Sequence, residues 1–119
     1  MDEQRIQYEV EILQAIGHVN RLKILYALLG GRKCSCDLVD ELHMEQSNLS
    51  RHLAKMVKAG ILIRYQLGGR VEYEIASERI NELLELVQQV AYDRLRKIIA
   101  LYENEKKGAI LKKLEASGD

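Results

Sequence analysis

Cys34 and Cys36 are the two cysteines of this 119-residue chain, and a single residue separates them in the stretch KCSCDL. A disulfide across this spacing closes a small ring, so we expect reduced thiols. Thiolates bind soft ions such as mercury, copper(I) or a trivalent arsenical completed by an outside thiol. Three interpretations stay open: a soft-ion site, a reactive thiol that senses oxidants or sulfur species, and a purely structural pair.

Composition predicts one globular domain without an obvious partner. Hydrophobic residues make up 47 % and charged residues 30 % of the chain, and 18 basic side chains balance 18 acidic ones. Residues 17–75 nevertheless hold nine Lys/Arg against six Asp/Glu, which weakly favours an anionic partner for the middle of the chain.

Several classes of protein are disfavoured by what the sequence lacks. No apolar run approaches the length of a membrane span, and the start of the chain does not resemble a signal peptide, so we expect a cytoplasmic protein. No nucleophile motif, phosphate loop or pair of acids at a strand end stands out. We therefore expect no enzymatic activity.

The spacing of apolar residues predicts four helices in the first half of the chain. Asn20 is the expected cap of the second helix, and Gly30 its end. His43 lies in a three-residue turn where positive φ is expected, and Gly60 is expected to end the fourth helix. The predicted helices cover residues 5–16, 21–29, 35–42 and 46–59.

The pattern then changes to a period of two. The stretches ILIRYQ and RVEYEI alternate in polarity, and Gly68 and Gly69 between them suit a two-residue hairpin turn with positive φ. Ser77 is the expected cap of a long helix that reaches about residue 106, with Gly108 breaking it before a short tail.

This order of elements predicts a mainly α fold, a winged helix-turn-helix of type α-α-α-α-β-β-α with a long terminal dimerisation helix. The last helix is apolar over too wide an arc for a few short helices to cover, so we expect a homodimer. The predicted parts are a single domain over 1–119, a helix-turn-helix at about 35–59, a wing at 61–76 and a dimerisation helix at about 78–106.

The polar side of the fourth helix has the residue types that read DNA. Gln and Asn pair with adenine, Arg pairs with guanine, and Ser and Lys suit phosphate contacts. His52 has two open interpretations, a phosphate contact or a partly buried histidine bonded within the fold, while two arginines bracket the wing. The candidate DNA-binding residues are Gln46, Ser47, Asn48, Ser50, Arg51, His52, Lys55, Arg64 and Arg70.

These residues also carry a family resemblance. The stretch CSCDLVDELHMEQSNLSRHLAKMVKAGILIRYQLGGRVEYEI, with AIGHVNRLKILYALL before it, resembles the ArsR/SmtB family of metal- and stress-responsive repressors. The resemblance covers residues 13–75. It implies a cytoplasmic homodimer built on the first and last helices, which binds a DNA operator with dyad symmetry and leaves it when an inducer binds.

The resemblance also implies where an inducer binds. Cys34 and Cys36 match the family's Cys-x-Cys site at the start of the third helix, whereas Val39 stands where arsenic sensors often have a third cysteine. Residues 78–106 contain no histidine, so the family's zinc-type site is expected to be absent. Cys34 lies at the expected N-cap, where the helix N-terminus favours a thiolate.

The sequence therefore predicts a DNA-binding repressor released by a soft metal ion or arsenite at Cys34 and Cys36. One alternative is a repressor that senses redox state or reactive sulfur. The other is a dimeric winged-helix interaction module that does not bind DNA.

Overall fold

The computed structural model describes residues 2–117 and confirms the mainly helical winged helix-turn-helix expected from the sequence. Of these residues, 2–81 form one compact unit and 82–117 a second. No helix within 2–117 has both the length and the hydropathy to cross a bilayer. The elements are α1 (Glu3–Ile16), α2 (Val19–Leu28), β1 (Lys33–Cys34), α3 (Ser35–Leu42), α4 (Gln46–Lys58), β2 (Leu62–Leu67), β3 (Arg70–Ile75) and α5 (Glu78–Ser117).

Polar side chains cap the N-termini of α1 and α2. The Asp2 carboxylate accepts the Gln4 N–H at 3.0 Å and starts α1, and Gly17 ends it as expected. The prediction that Asn20 caps α2 is wrong. His18 is extended and its Nδ1 accepts the Asn20 N–H at 3.0 Å, because the helix begins two residues earlier than expected.

The first unit packs α2, α3 and α4 in pairwise contact around apolar side chains removed from water. The spacing of Leu49, Leu53, Met56 and Val57 predicts one apolar side of α4; the first three are buried and Val57 is half-buried. A fully buried side chain of this kind contributes about 1.5–3 kcal/mol, so the packing fixes which face of α4 points outward. The other buried apolar residues of this unit are Ala15, Ile16, Ile24, Leu25, Leu28, Cys34, Leu38, Ile61, Leu62 and Tyr73.

The sheet has a strand that the sequence did not reveal. Its order is β1-β3-β2, with both pairings antiparallel. The two residues of β1 pair with the wing strand β3, Lys33 opposite Tyr73 and Cys34 opposite Glu72. A two-residue strand is too short to show any periodicity, which is why only the hairpin was predicted.

The β2–β3 hairpin forms the wing and has the predicted two-residue turn, since Leu67 pairs with Arg70. Gly68 adopts φ of +63°, as such a turn requires, whereas Gly69 lies outside the left-handed region in which it was expected. The predicted alternation is observed at Tyr73, which is buried between half-exposed neighbours in β3, whereas Ile63 of β2 is exposed like Arg64 beside it.

The last helix, α5, is longer than expected. Ser77 caps it as predicted, its Oγ accepting the Arg79 N–H at 3.1 Å, but the helix runs through Gly108 to Ser117. The predicted break at Gly108 is wrong. A helical glycine costs about 1 kcal/mol relative to alanine without removing a backbone hydrogen bond, and Lys106 and Lys107 before it are good helix formers.

Candidate DNA-binding surface and thiol site

The polar face of α4, which we call the recognition helix, points into solvent. Asn48 is half-buried, and the other candidate residues of this face are Gln46, Ser47, Ser50, Arg51 and Lys55, all exposed. Arg51 Nη2 donates to Asn48 Oδ1 at 3.3 Å, so two of the side chains predicted to read bases lie together. Because the opposite face of the recognition helix is buried, these polar residues lie together on its solvent-exposed face.

A three-residue turn connects α3 to the recognition helix. His43 ends α3 with φ of +53°, confirming the expected left-handed turn residue. Glu45 is the N-cap of the recognition helix but makes no capping bond with its side chain, and its Oε1 instead accepts from Ser47 Oγ at 2.7 Å. The first backbone N–H groups of the helix thus keep their partial positive charge facing outward, a favourable arrangement for a phosphate.

The two wing arginines have different surroundings. Arg64 is exposed, and its Nη2 donates to Gln66 Oε1 at 2.9 Å. Arg70 donates to Glu72 at 2.8 Å and lies 3.9 Å from the Asp37 carboxylate of α3. Arg64 is therefore open to an anionic ligand, whereas Arg70 already links the wing to the first turn of α3.

His52 lies against the fold, which favours the second of its two interpretations. It is half-buried, its Nδ1 is 3.3 Å from Arg21 Nη1, and its ring centroid is 4.7 Å from that of His18. Burial lowers the pKa of His52, as do the neighbouring His18, Arg21, Arg51 and Lys55. The neutral ring therefore acts here as a structural contact of the recognition helix.

Sequence reasoning missed Arg21, a charged residue that is 8 % exposed. Its Nε donates to the Ala15 carbonyl at 2.6 Å and its Nη2 to the Gln14 carbonyl at 2.9 Å. These carbonyls end α1, where the helix dipole is negative, so the cation is stabilised without a carboxylate. The available signal was its spacing, because Arg21 precedes buried Leu25 and Leu28 by four and seven residues.

The two thiols form a disulfide, so the expectation of reduced thiols is wrong for this structure. Cys34 is extended, with φ of −77° and ψ of 157°, and precedes the helix that holds Cys36. Their Cα atoms are 5.3 Å apart, within the usual range for a disulfide. The sulfurs therefore meet while α3 keeps its first turn, and bridging them requires no distortion of that turn.

Cys34 and Cys36 differ in their surroundings. Cys34 is 1 % exposed, and its sulfur caps α3 as predicted by accepting the Asp37 N–H at 3.1 Å. Cys36 is exposed. Within residues 2–117, these two sulfurs and the Asp37 carboxylate are the one group of three potential metal ligands, all within 4.8 Å of one another. Asp37 was not predicted, although an acid directly after Cys-x-Cys was visible in the sequence.

Beside this site, the outer face of the sheet carries a charged cluster. The Arg32 guanidinium lies 3.7 Å from the centre of the Tyr65 ring. Arg32 also pairs with Glu74 at 3.2 Å and with Glu72 at 3.8 Å. The cluster connects the segment before Cys34 to both wing strands, in addition to the backbone pairing of β1 with β3.

The lowered pKa of His52 predicts acid sensitivity. Between the ordinary histidine value of about 6.5 and the lower folded value, the unfolded chain binds a proton that the folded chain does not. The contribution of His52 to the free energy of unfolding is therefore complete above about pH 6.5, and it decreases as the pH falls from 6.5 to the lower folded pKa. Urea unfolding should show that acidification lowers the free energy of unfolding less in His52→Gln than in the unaltered protein. In the control variant His43→Asn, at an exposed position, acidification should lower it as much as in the unaltered protein. An equal loss in His52→Gln would contradict this account.

Comparison with known proteins agrees with this geometry. Residues 18–64 match the family model of bacterial regulatory proteins of the arsR family. An uncharacterized HTH-type transcriptional regulator of Methanocaldococcus jannaschii is 34 % identical over 88 residues, which span 73 % of this chain and 99 % of that protein.

Two further relatives extend the comparison. The arsenical resistance operon repressor of Bacillus subtilis is 33 % identical over 60 % of this chain and 69 % of its own length. The homodimeric winged helix-turn-helix DNA-binding domain Mb0332 of Mycobacterium bovis has the same fold, with a TM-score of 0.72 over 80 % of this chain and 91 % of that chain, at 24 % identity. This chain therefore belongs to the ArsR family of bacterial regulatory proteins and is a winged-helix DNA-binding transcription regulator.

Proposed function

We propose that this protein is a homodimeric repressor whose hold on its operator is set by chemistry at Cys34 and Cys36. One observation carries the proposal: both sulfurs and the Asp37 carboxylate converge at the start of α3, the helix that packs under the recognition helix. Once the disulfide is reduced, the two thiolates form the kind of sulfur site that soft ions favour. The arsenical resistance function named for the Bacillus subtilis relative is consistent with this class of inducer.

The DNA-binding part of the proposal rests on the exposed face of the recognition helix. Gln46 and Ser47 lie at its N-terminus, which enters the major groove in helix-turn-helix proteins. Arg51 is suited to guanine and Lys55 to phosphate. Arg64 adds a phosphate contact from the wing, while His52 acts by holding the helix in place.

The dimer is proposed from apolar surface that each unit leaves in solvent. In the first unit, α1 exposes Tyr8 and Leu13. In the second unit, α5 exposes a large apolar set that has no other element to cover it among residues 82–117. A second copy of the chain would remove such surface from water. The exposed apolar residues of α5 include Leu86, Val87, Val90, Leu95, Ile98, Ile99, Leu101 and Tyr102.

The thiol pair connects to the DNA-facing elements by two routes. By the backbone, Cys34 pairs with Glu72 of the wing strand β3. By side chains, Asp37 lies 3.9 Å from Arg70, which also bonds Glu72. An ion held by the two reduced sulfurs and Asp37 would compete with Arg70 for that carboxylate. A ligand that prefers the resulting arrangement over the DNA-bound one then lowers DNA affinity.

The disulfide itself favours a second candidate function. Because the sulfurs join without disturbing α3, oxidation alone can switch the site between a dithiol and a bridged state. The inducer would then be an oxidant or a reactive sulfur species, acting on the same two residues. Both candidates share the DNA-binding surface and differ only in what bridges the sulfurs.

Removing the Arg51 side chain should weaken operator binding. If Arg51 reads a base, Arg51→Ala should cost roughly 1–3 kcal/mol and relax specificity at that position. Fluorescence anisotropy on the DNA upstream of the protein's own gene would measure this. Exposed Lys23→Ala on α2 is the matched control, since it removes the same charge away from the recognition helix. Equal losses in both variants would mean that the surface is misassigned.

A charge in the apolar set of α5 should prevent dimer formation. Leu95 is 52 % exposed, and Leu95→Glu would bury an unpaired charge at the proposed interface. The cost, roughly 3–5 kcal/mol, is enough to give monomers at micromolar concentration in sedimentation experiments. Lys97→Glu on the same helix should remain dimeric. A monomeric unaltered protein would refute the proposed assembly.

Replacing both cysteines by serine should separate DNA binding from its regulation. Serine preserves the cap at position 34, so the double variant should bind the operator like the reduced, dithiol form of the unaltered protein. Arsenite, mercury, copper(I) or an oxidant should release the unaltered protein, first reduced to the dithiol, but leave the double variant on DNA in the same anisotropy assay. Normal release of the double variant would mean that the sensor lies elsewhere.

A further inference from the structure

The two sulfurs of the disulfide differ in how an external reagent reaches them. Cys36 is exposed, whereas Cys34 is 1 % exposed and is part of β1, which pairs with β3. The Cys34 sulfur also accepts the Asp37 N–H at 3.1 Å. An incoming nucleophile therefore meets Cys36 first, and Cys34 already has the hydrogen bond that stabilises negative charge on a departing sulfur.

A cleft of about 270 Å³ opens beside Cys36. One wall consists of α3 residues, and the other is Gln46, the first residue of the recognition helix. Pockets for drug-sized ligands range from about 300 to 1,000 Å³, so this cleft suits a smaller group. A substituent on the Cys36 sulfur would therefore lie against the start of the recognition helix. The α3 residues of the wall are Ser35, Cys36, Val39 and Asp40.

We infer that Cys36 is a thiolation site, at which a low-molecular-weight thiol forms a mixed disulfide that occupies this cleft. The inference rests on the proposed function, because it names the class of molecule that regulates the same two residues. The attacking thiolate bonds to the Cys36 sulfur, the Cys34–Cys36 bond breaks, and its electron pair leaves with Cys34 as a thiolate. No oxidant is needed, since one disulfide is exchanged for another.

The same geometry makes the adduct reversible. The Cys34 thiolate can attack the Cys36 sulfur, expel the small thiolate and restore the original disulfide. A second small thiol can instead attack its partner in the adduct, which yields the dithiol form and a small-molecule disulfide. Cys34 is thus the resolving residue, and removing it should trap the adduct.

The adduct should interfere with DNA binding. Gln46 is exposed at the N-terminus of the recognition helix, where base contacts are made in this class of fold. A group bound in the adjoining cleft would collide with the Gln46 side chain and with the edge of the DNA major groove that Gln46 is expected to contact. Thiolation therefore weakens DNA binding by occupying the cleft, independently of any metal.

The test uses two single variants of the full chain treated with cystine, which thiolates a free cysteine and releases one molecule of cysteine. Cys34→Ser keeps a capping side chain and leaves Cys36 alone, whereas Cys36→Ser leaves only buried Cys34. Intact-mass spectrometry with peptide mapping should show one cysteinyl group on Cys36 in the first variant. The second should react at least about tenfold more slowly, because a buried group reacts only after local opening. Circular dichroism checks that both variants are folded.

The outcomes separate this inference from the proposed function. Equal or faster modification of Cys34 would overturn the assigned thiolation site, whether or not DNA binds. The cysteinylated Cys34→Ser protein should also bind operator DNA at least about fivefold more weakly than the same variant unmodified. Equal binding would overturn the role of the cleft. Failure of the unmodified, folded variants to bind any operator would count against the proposed function, while the modification rates would still decide the thiolation site.

Discussion

The placement of Cys34 is the constraint on which the regulatory account depends. Its backbone ends β1 and pairs with Glu72 of the wing, and its sulfur caps the helix beneath the recognition helix. The same sulfur bonds to Cys36. Oxidation or metal binding at a cysteine on the protein surface does not by itself alter the contacts that hold the fold. Here one residue belongs at once to the sheet, to the start of α3 and to the sulfur pair, so its chemistry is physically connected to the wing and to the helix that packs against the recognition helix.

A second constraint on the recognition helix is the contact between its His52 and the buried Arg21 of α2. In the part of the chain that the structure describes, the buried Arg21 makes no ion pair, and its charge is met by two carbonyls at the end of α1 and by the ring of His52. Burial is the largest cause of the lowered pKa of His52, and the neighbouring His18 and Arg21 lower it further. The first helix, the second helix and the recognition helix are therefore linked through one guanidinium, while the thiol pair lies at the start of α3, which also contacts the recognition helix.

Much of the fold was predictable because its boundaries depend on local chemistry. The left-handed turn at His43 and the end of α4 at Gly60 follow from which residues tolerate positive φ, and both are observed. Other features depend on tertiary contacts that periodicity does not encode. The two-residue β1 is defined only by its partner strand, Arg21 is buried because α1 happens to end above it, and Gly108 stays helical because its neighbours sustain the helix. The disulfide was not expected because the one-residue spacing was taken to close too small a ring, whereas the extended backbone at Cys34 separates the two Cα atoms by 5.3 Å.

The central claim is that the state of the two sulfurs sets the affinity for DNA. The most direct test is to measure the operator dissociation constant of one preparation by fluorescence anisotropy, first as the dithiol and then as the Cys34–Cys36 disulfide. The account predicts weaker binding by the bridged form, by a factor in the range of about 5–150 that is typical of coupling between two sites. The same dissociation constant for both forms would contradict it.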